Sequence, residues 1–86
     1  MILNIKYRKL KNGRTHRLSE KETRLLLMLA DNEKHRYTEL QKFIGAKNTK
    51  NVNVIKCVLC NKVPELNIRF LYDSSYILKN EILIDY

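Results

Sequence analysis

The sequence predicts a small α+β domain in which three short helices lie between two β-hairpins. Two observations support this class. Helix-capping patterns precede segments that have apolar residues at helical spacing. On either side of these helical segments, turn-forming residues separate pairs of strand-like runs. The 86 residues suffice for one hydrophobic core, and a hydrophobic content of 44% is typical of a folded chain. We therefore expect a single domain over residues 1–86.

Residues 2–18 are predicted to form the N-terminal β-hairpin. Leu3, Ile5 and Tyr7 alternate with mostly polar residues, which would place these three side chains on one face. Asn12-Gly13 is a strong hairpin signal, because both residue types tolerate a positive φ. The return strand would run from residue 14 to residue 18.

The helices are predicted over residues 19–63, and the first begins after Ser19. The side chain of Ser19 can form a capping box with Glu22, three residues later. This helix would run to about Asn32, and three leucines mark its buried side: Leu25, Leu26 and Leu29.

The second and third helices are predicted from the same kinds of signal. Thr38 and Gln41 have the spacing of another capping box, and Gly45 suits the left-handed position that ends a helix. The third helix would start at Asn48 or Thr49 and end before Pro64. Its buried stripe would consist of four apolar residues at helical spacing: Val52, Ile55, Leu59 and Val63.

Residues 67–78 are predicted to form the C-terminal hairpin, with Asp73-Ser74-Ser75 as its turn. A further strand would lie within residues 82–86. This apolar strand would either pair with the strand at residues 2–7 or form a dimer contact on DNA.

The formal net charge of +8 predicts a polyanionic partner such as DNA, RNA or an anionic membrane. Six basic residues fall in the first seventeen, which contain no acid. No apolar run approaches the ~18 residues of a membrane span, and the N-terminus lacks the order of a signal peptide. Cys57 and Cys60 are too few for a disulfide scaffold. We expect a reduced, cytoplasmic protein.

No catalytic, metal or cofactor site is expected. Cys57 and Cys60 lie within a predicted helix, and His16 and His35 share no metal-ligand spacing with them. The two glycines are too few for a phosphate-binding loop, and no carboxylate pair has an evident role. The cysteines are interpreted as ordinary small side chains, and an enzyme is not expected.

Residues 38–63 fit a helix-turn-helix, in which a short turn containing Gly joins two helices. With the hairpin that follows, residues 18–78 resemble the winged helix-turn-helix DNA-binding domain of the OmpR/PhoB type. The matching motifs are Leu18-Ser19 with Glu22, Leu25-Leu26, Thr38-Glu39-Leu40, Val52-Asn53-Val54 and Ser75-Tyr76-Ile77-Leu78. The resemblance implies a recognition helix at the third helix and a wing at the C-terminal hairpin.

The predicted function is sequence-preferring binding of double-stranded DNA, as a transcription regulator or a factor that marks a site. Asn53 can bond adenine and Lys50 can reach guanine or phosphate, while the start of the third helix suits phosphate. The candidate contacts are Lys47, Asn48, Thr49, Lys50, Asn53, Lys56, Cys57, Arg69, Tyr72, Ser74, Ser75 and Tyr76. An accessory role at an origin of plasmid replication or conjugation, RNA binding and protein interaction stay open.

Overall fold

The fold consists of two β-sheets and three helices. A computed structural model describes the backbone of residues 1–86 and every side chain except that of Thr49. Over the described residues the elements are β1 (Ile2–Asn4), β2 (Lys9–Asn12), β3 (Arg14–Arg17), α1 (Glu20–Leu29), β4 (His35–Arg36), α2 (Tyr37–Ile44), α3 (Thr49–Lys62), β5 (Ile68–Leu71), β6 (Ser75–Leu78) and β7 (Leu83–Asp85). The predicted α+β class and its three helices are confirmed, but there are more strands than predicted.

The N-terminal segment forms three antiparallel strands and not the predicted hairpin. The chain turns after β1, where the backbone N–H of Tyr7 donates to Asn4 Oδ1 (2.8 Å) and Arg8 adopts a φ of 53°. This turn removes Ile5 and Tyr7 from the strand, and Tyr7 is 61% exposed. The predicted turn at Gly13 is confirmed, since its φ is 72° and β2 and β3 pair across it.

The C-terminal strand completes the first sheet, which has the order β3-β2-β1-β7. β7 pairs in parallel with β1, and Leu3 lies beside Ile84. The predicted pairing of this strand with the N-terminal strand is therefore confirmed. The second sheet has the order β4-β6-β5, so the C-terminal hairpin is joined by a two-residue strand that the sequence did not predict.

The capping box of α1 is confirmed. Ser19 Oγ accepts from the backbone N–H of Glu22 (3.1 Å), and the N–H of Ser19 donates to Glu22 Oε1 (2.8 Å). The helix ends at Leu29, earlier than predicted, and the chain reverses near Asn32, which has a φ of 61°.

The capping box predicted at Thr38 is wrong, because α2 begins one residue earlier, at Tyr37. Its N-cap is Arg36, which makes no side-chain capping hydrogen bond. The reason is tertiary: Arg36 is paired with β6, and the N–H of Tyr37 donates to the carbonyl of Ser74 (3.1 Å). The predicted end at Gly45 is confirmed by its φ of 75°.

The third helix follows the prediction closely. Asn48 is its N-cap, and its side chain accepts from the N–H of Asn51 (3.1 Å). Val52, Leu59 and Val63 are fully buried and join one core cluster with leucines of α1 and of the N-terminal sheet, while Ile55 is half-buried. Within the described part of the chain, no helix is long and apolar enough to cross a membrane.

Candidate nucleic-acid interface

The outward face of α3 is polar and accessible. Because Val52, Leu59 and Val63 point into the core, the opposite side of the helix is exposed, as predicted. This face carries Lys50, Asn53, Val54, Cys57 and Asn61. A helix with such a face can enter a groove of a nucleic-acid duplex while its buried side stays packed in the hydrophobic core of the domain.

The segment around α3 contains no acidic residue from Leu40 to Pro64. Its lysines are Lys42, Lys47, Lys50, Lys56 and Lys62. Glu22 neutralises Lys62 (2.7 Å), but among the described side chains no ion pair involves Lys47, Lys50 or Lys56. Helices usually place acids in the first turn, where the backbone dipole is positive, and α3 has none there. This end of the helix therefore attracts anions.

The C-terminal hairpin contacts α3 through Tyr76. Tyr76 is buried, and its hydroxyl donates to Asn53 Oδ1 (3.4 Å). The ring of Phe70 lies 4.9 Å from the ring of Tyr76, centroid to centroid, with an angle of 53° between their planes. Burial raises the pKa of Tyr76, so its hydroxyl keeps its proton as a donor at neutral pH.

An open groove lies between the hairpin and the N-terminal ends of α2 and α3. It is lined by Tyr37, Lys50, Phe70, Ser74 and Tyr76, and we call it the helix–hairpin groove. It combines aromatic side chains with an ammonium group, which is the chemistry of a nucleotide site.

The tip of the hairpin is fixed to the rest of the molecule. Lys34 forms an ion pair with Asp73 (2.9 Å), and this hydrogen bond lowers the pKa of Asp73. Ser74 adopts a φ of 65°, and its carbonyl accepts from the N–H of Tyr37 (3.1 Å). Tyr72 projects from this tip and is fully exposed.

The predicted contact residues divide into three groups. Seven are exposed: Lys47, Asn48, Lys50, Asn53, Cys57, Arg69 and Tyr72. Lys56 and Ser74 are half-buried, and the side chain of Thr49 lies outside the described part of the structure. Ser75 and Tyr76 are buried, because Ser75 is in the middle strand of its sheet and Tyr76 faces the core. We therefore leave Ser75 and Tyr76 out of the candidate surface.

The predicted hairpin residues do not all lie on the side of α3. Phe70 is paired with Tyr76, so alternation along β5 places Arg69 on the opposite face of the hairpin. Phe70 and Tyr37 line the helix–hairpin groove but were not among the predicted contacts. Strand alternation within residues 68–72, read together with the turn at 73–75, is the signal that would have identified Phe70.

A second basic surface covers the outer face of the N-terminal sheet. Lys9 is paired with Arg17 across β2 and β3, and Lys11 lies two residues further along the same face. All three side chains are exposed. This surface is formed by different elements from the α3 face. Substitutions of its basic side chains therefore serve as controls for substitutions on the α3 face.

The two cysteines form no disulfide in the structure. Cys57 is exposed on α3, Cys60 is half-buried, and burial raises the pKa of the Cys60 thiol. Within the described residues, no group of three or more His, Cys, Asp or Glu side chains is placed to hold a metal ion.

Comparisons of this chain with protein-family models, with curated proteins and with solved structures found no match.

Proposed function

We propose that this chain is a winged helix-turn-helix domain that binds double-stranded DNA with a preference for certain sequences. The observation that carries the proposal is the exposed α3 face, which presents Lys50 and Asn53 within an acid-free stretch of 25 residues, Leu40 to Pro64. The order of elements supports the winged-helix interpretation. Three strands precede α1 and form a sheet that the C-terminal strand β7 completes, and the C-terminal hairpin pairs with the short strand between α1 and α2.

The dimensions and chemistry of α3 suit the major groove. Its 14 residues span about 21 Å, and the groove of B-DNA is about 12 Å wide, enough to admit a helix. The Asn53 amide is a donor and an acceptor side by side, which matches the N7 and N6 groups of adenine. The hydroxyl of Tyr76 uses one of the two lone pairs on Asn53 Oδ1 and leaves the other accessible.

The phosphate contacts belong to the start of α3 and the loop before it. Lys47 and Lys50 are exposed there, and the positive end of the helix dipole favours an anion. These contacts fix the position of the helix on the duplex, whereas Asn53 carries the base preference.

The biological role that fits such a domain is transcription regulation or the marking of a site, such as an origin of plasmid replication or conjugation. One short helix reads few base pairs, so we propose that two copies occupy two half-sites on the DNA. A footprint that covers one half-site, with one copy bound, would contradict the two-copy arrangement but not DNA binding itself.

The test is to select bound sequences from a random duplex pool and then measure affinity for the selected duplex. The matching single strands and the RNA duplex are measured at the same salt concentration. We expect an enriched motif and tighter binding of duplex DNA than of either alternative. An RNA preference would favour an RNA-binding protein, and no binding to any nucleic acid would favour a protein-interaction module.

A further inference from the structure

Phe70 is the most unusual side chain of the helix–hairpin groove. It is 57% exposed although it is large and apolar, and it lies beside the proposed DNA-reading face. Leaving such a ring in water has a free-energy cost that burial would remove. An exposed aromatic side chain at a nucleic-acid surface is typical of proteins that stack on unpaired bases.

The Phe70 ring is held in place from behind. Tyr76 packs against it at 4.9 Å and is itself buried. The hairpin cannot swing freely, because Lys34 and the backbone of Tyr37 hold its tip. A ring fixed in this way loses little conformational entropy when a flat ligand stacks on it.

Lys50 lines the same groove and is exposed. The groove therefore offers a π-face for a base and a cation for its phosphate. A base inside a continuous duplex has both faces covered by its neighbours, so stacking on Phe70 requires a base that has left the helix.

We propose that the helix–hairpin groove binds an unpaired DNA base, stacked on Phe70, next to the duplex held by α3. This inference rests on the proposed function, because α3 must dock on a duplex to bring a neighbouring strand to the groove. The preferred substrate is then a duplex with a locally opened segment and not a continuous one.

The experiment compares two forms of the selected site that differ only in a three-base mismatch beside it. Wild-type protein should bind the mismatched duplex about 5- to 150-fold more tightly, the range expected for stacking one base on an aromatic side chain. Phe70→Leu should abolish this preference and keep the affinity for the continuous duplex, whereas Phe70→Trp should retain the preference. A 2-aminopurine placed in the mismatch should lose fluorescence on binding the wild-type protein.

Phe43→Ala is the matched control. Phe43 is also a partly exposed phenylalanine, but it lies on α2 in a different groove, beside Leu27 and Arg8. This variant should behave as wild type on both duplexes.

Equal affinity of the wild type for both duplexes would overturn the inference while leaving the proposed function intact. A preference that survives in Phe70→Leu would also overturn it. A third contrary result concerns the continuous duplex with thymine replaced by uracil. If the wild type loses affinity on this replacement and Phe70→Leu does not, the Phe70 ring contacts thymine methyl groups and not an unpaired base. Absence of binding to either duplex would overturn the proposed function itself.

Discussion

At the scale of single residues, Tyr76 links the two parts of the candidate surface. Its hydroxyl holds the amide of Asn53 on α3, and its ring supports Phe70 on β5. Both side chains are therefore positioned by one buried residue of the core. Because Asn53 and Phe70 are themselves exposed, whereas Tyr76 is buried, changes at Asn53 or Phe70 should affect binding more than folding.

Asn53→Ala should weaken binding to the selected duplex by about 1–3 kcal/mol and relax the base preference at one or two positions. The physical reason is the loss of a paired donor and acceptor at an adenine. Affinity and repeated sequence selection with the variant measure the two effects.

The control for Asn53→Ala is Lys11→Ala, on the outer face of the N-terminal sheet. It should leave the base preference unchanged, because the proposed docking brings the α3 face and not this sheet against the bases. Both variants must melt like the wild type. Unchanged affinity together with unchanged preference in Asn53→Ala would show that α3 does not read the sequence through this residue.

Glu22 is a buried carboxylate that ties α1 to α3. Burial raises its pKa, but hydrogen bonds from Lys62 and from Ser19 outweigh this effect and hold the pKa below its ordinary value of 4.5. A carboxyl whose pKa is lower in the folded state stabilises the fold above its ordinary pKa. This contribution is lost as the pH falls through the lower, folded value.

Glu22→Gln should destabilise the protein by about 1 kcal/mol at neutral pH, a modest value because solvent screens the partly exposed Lys62. It should also flatten the loss of stability between about pH 5 and about pH 3, since one linked proton is removed. Urea unfolding at several pH values measures both effects. If the variant keeps the wild-type slope of unfolding free energy against pH in this acidic range, that slope comes from other carboxylates.

At the scale of elements, the helix starts differ in how they are specified. α1 begins at a local capping box, whereas α2 begins where β4 and β6 pair. α3 begins at an Asn cap that the sequence predicts. The α2 start therefore depends on the hairpin, which links the first helix of the proposed helix-turn-helix to the groove beside it.

Ser19→Ala should lower the free energy of unfolding by about 1 kcal/mol, because an N–H at the start of α1 loses its acceptor. Thr38→Ala should change it by less than about 0.5 kcal/mol, since Thr38 is exposed inside α2 and makes no cap. Urea unfolding of both variants compares them directly. Equal destabilisation by the two substitutions would show that Thr38 supports α2 in another way.

At the scale of the whole molecule, the positive charge is divided between two surfaces. Lys47 and Lys50 lie at the start of α3, whereas Lys9, Lys11 and Arg17 lie on the N-terminal sheet. Either surface can attract a polyanion from a distance, but the proposed docking brings only the first into contact with phosphates. Salt dependence distinguishes contact from attraction at a distance.

The slope of log K against log salt should become shallower by about 0.9 for each of Lys47→Ala and Lys50→Ala. Lys9→Ala and Lys11→Ala should leave this slope within error of wild type. Binding titrations at four or five salt concentrations give the slopes. The opposite pattern would place the duplex on the N-terminal sheet.

Local signals predicted much of this fold. The capping box at Ser19, the turns at Gly13 and Gly45, and the limits of α3 all depend on residues within four positions of each other. The polar face of α3 followed from the same helical spacing. Such features can be predicted from a sequence because the interacting residues are close together along the chain.

Only the tertiary structure decided which residues of the hairpin are accessible. Ser75 and Tyr76 were expected at the surface and are buried, whereas Phe70 was not among the predicted contacts and is exposed. The strand β4 and the early start of α2 were likewise settled by pairing between distant segments. The sequence determined the class, the helices and the polar face of α3, since these depend on local spacing. Strand pairing and burial depend on contacts between residues far apart in the chain, so the groove became visible only in three dimensions.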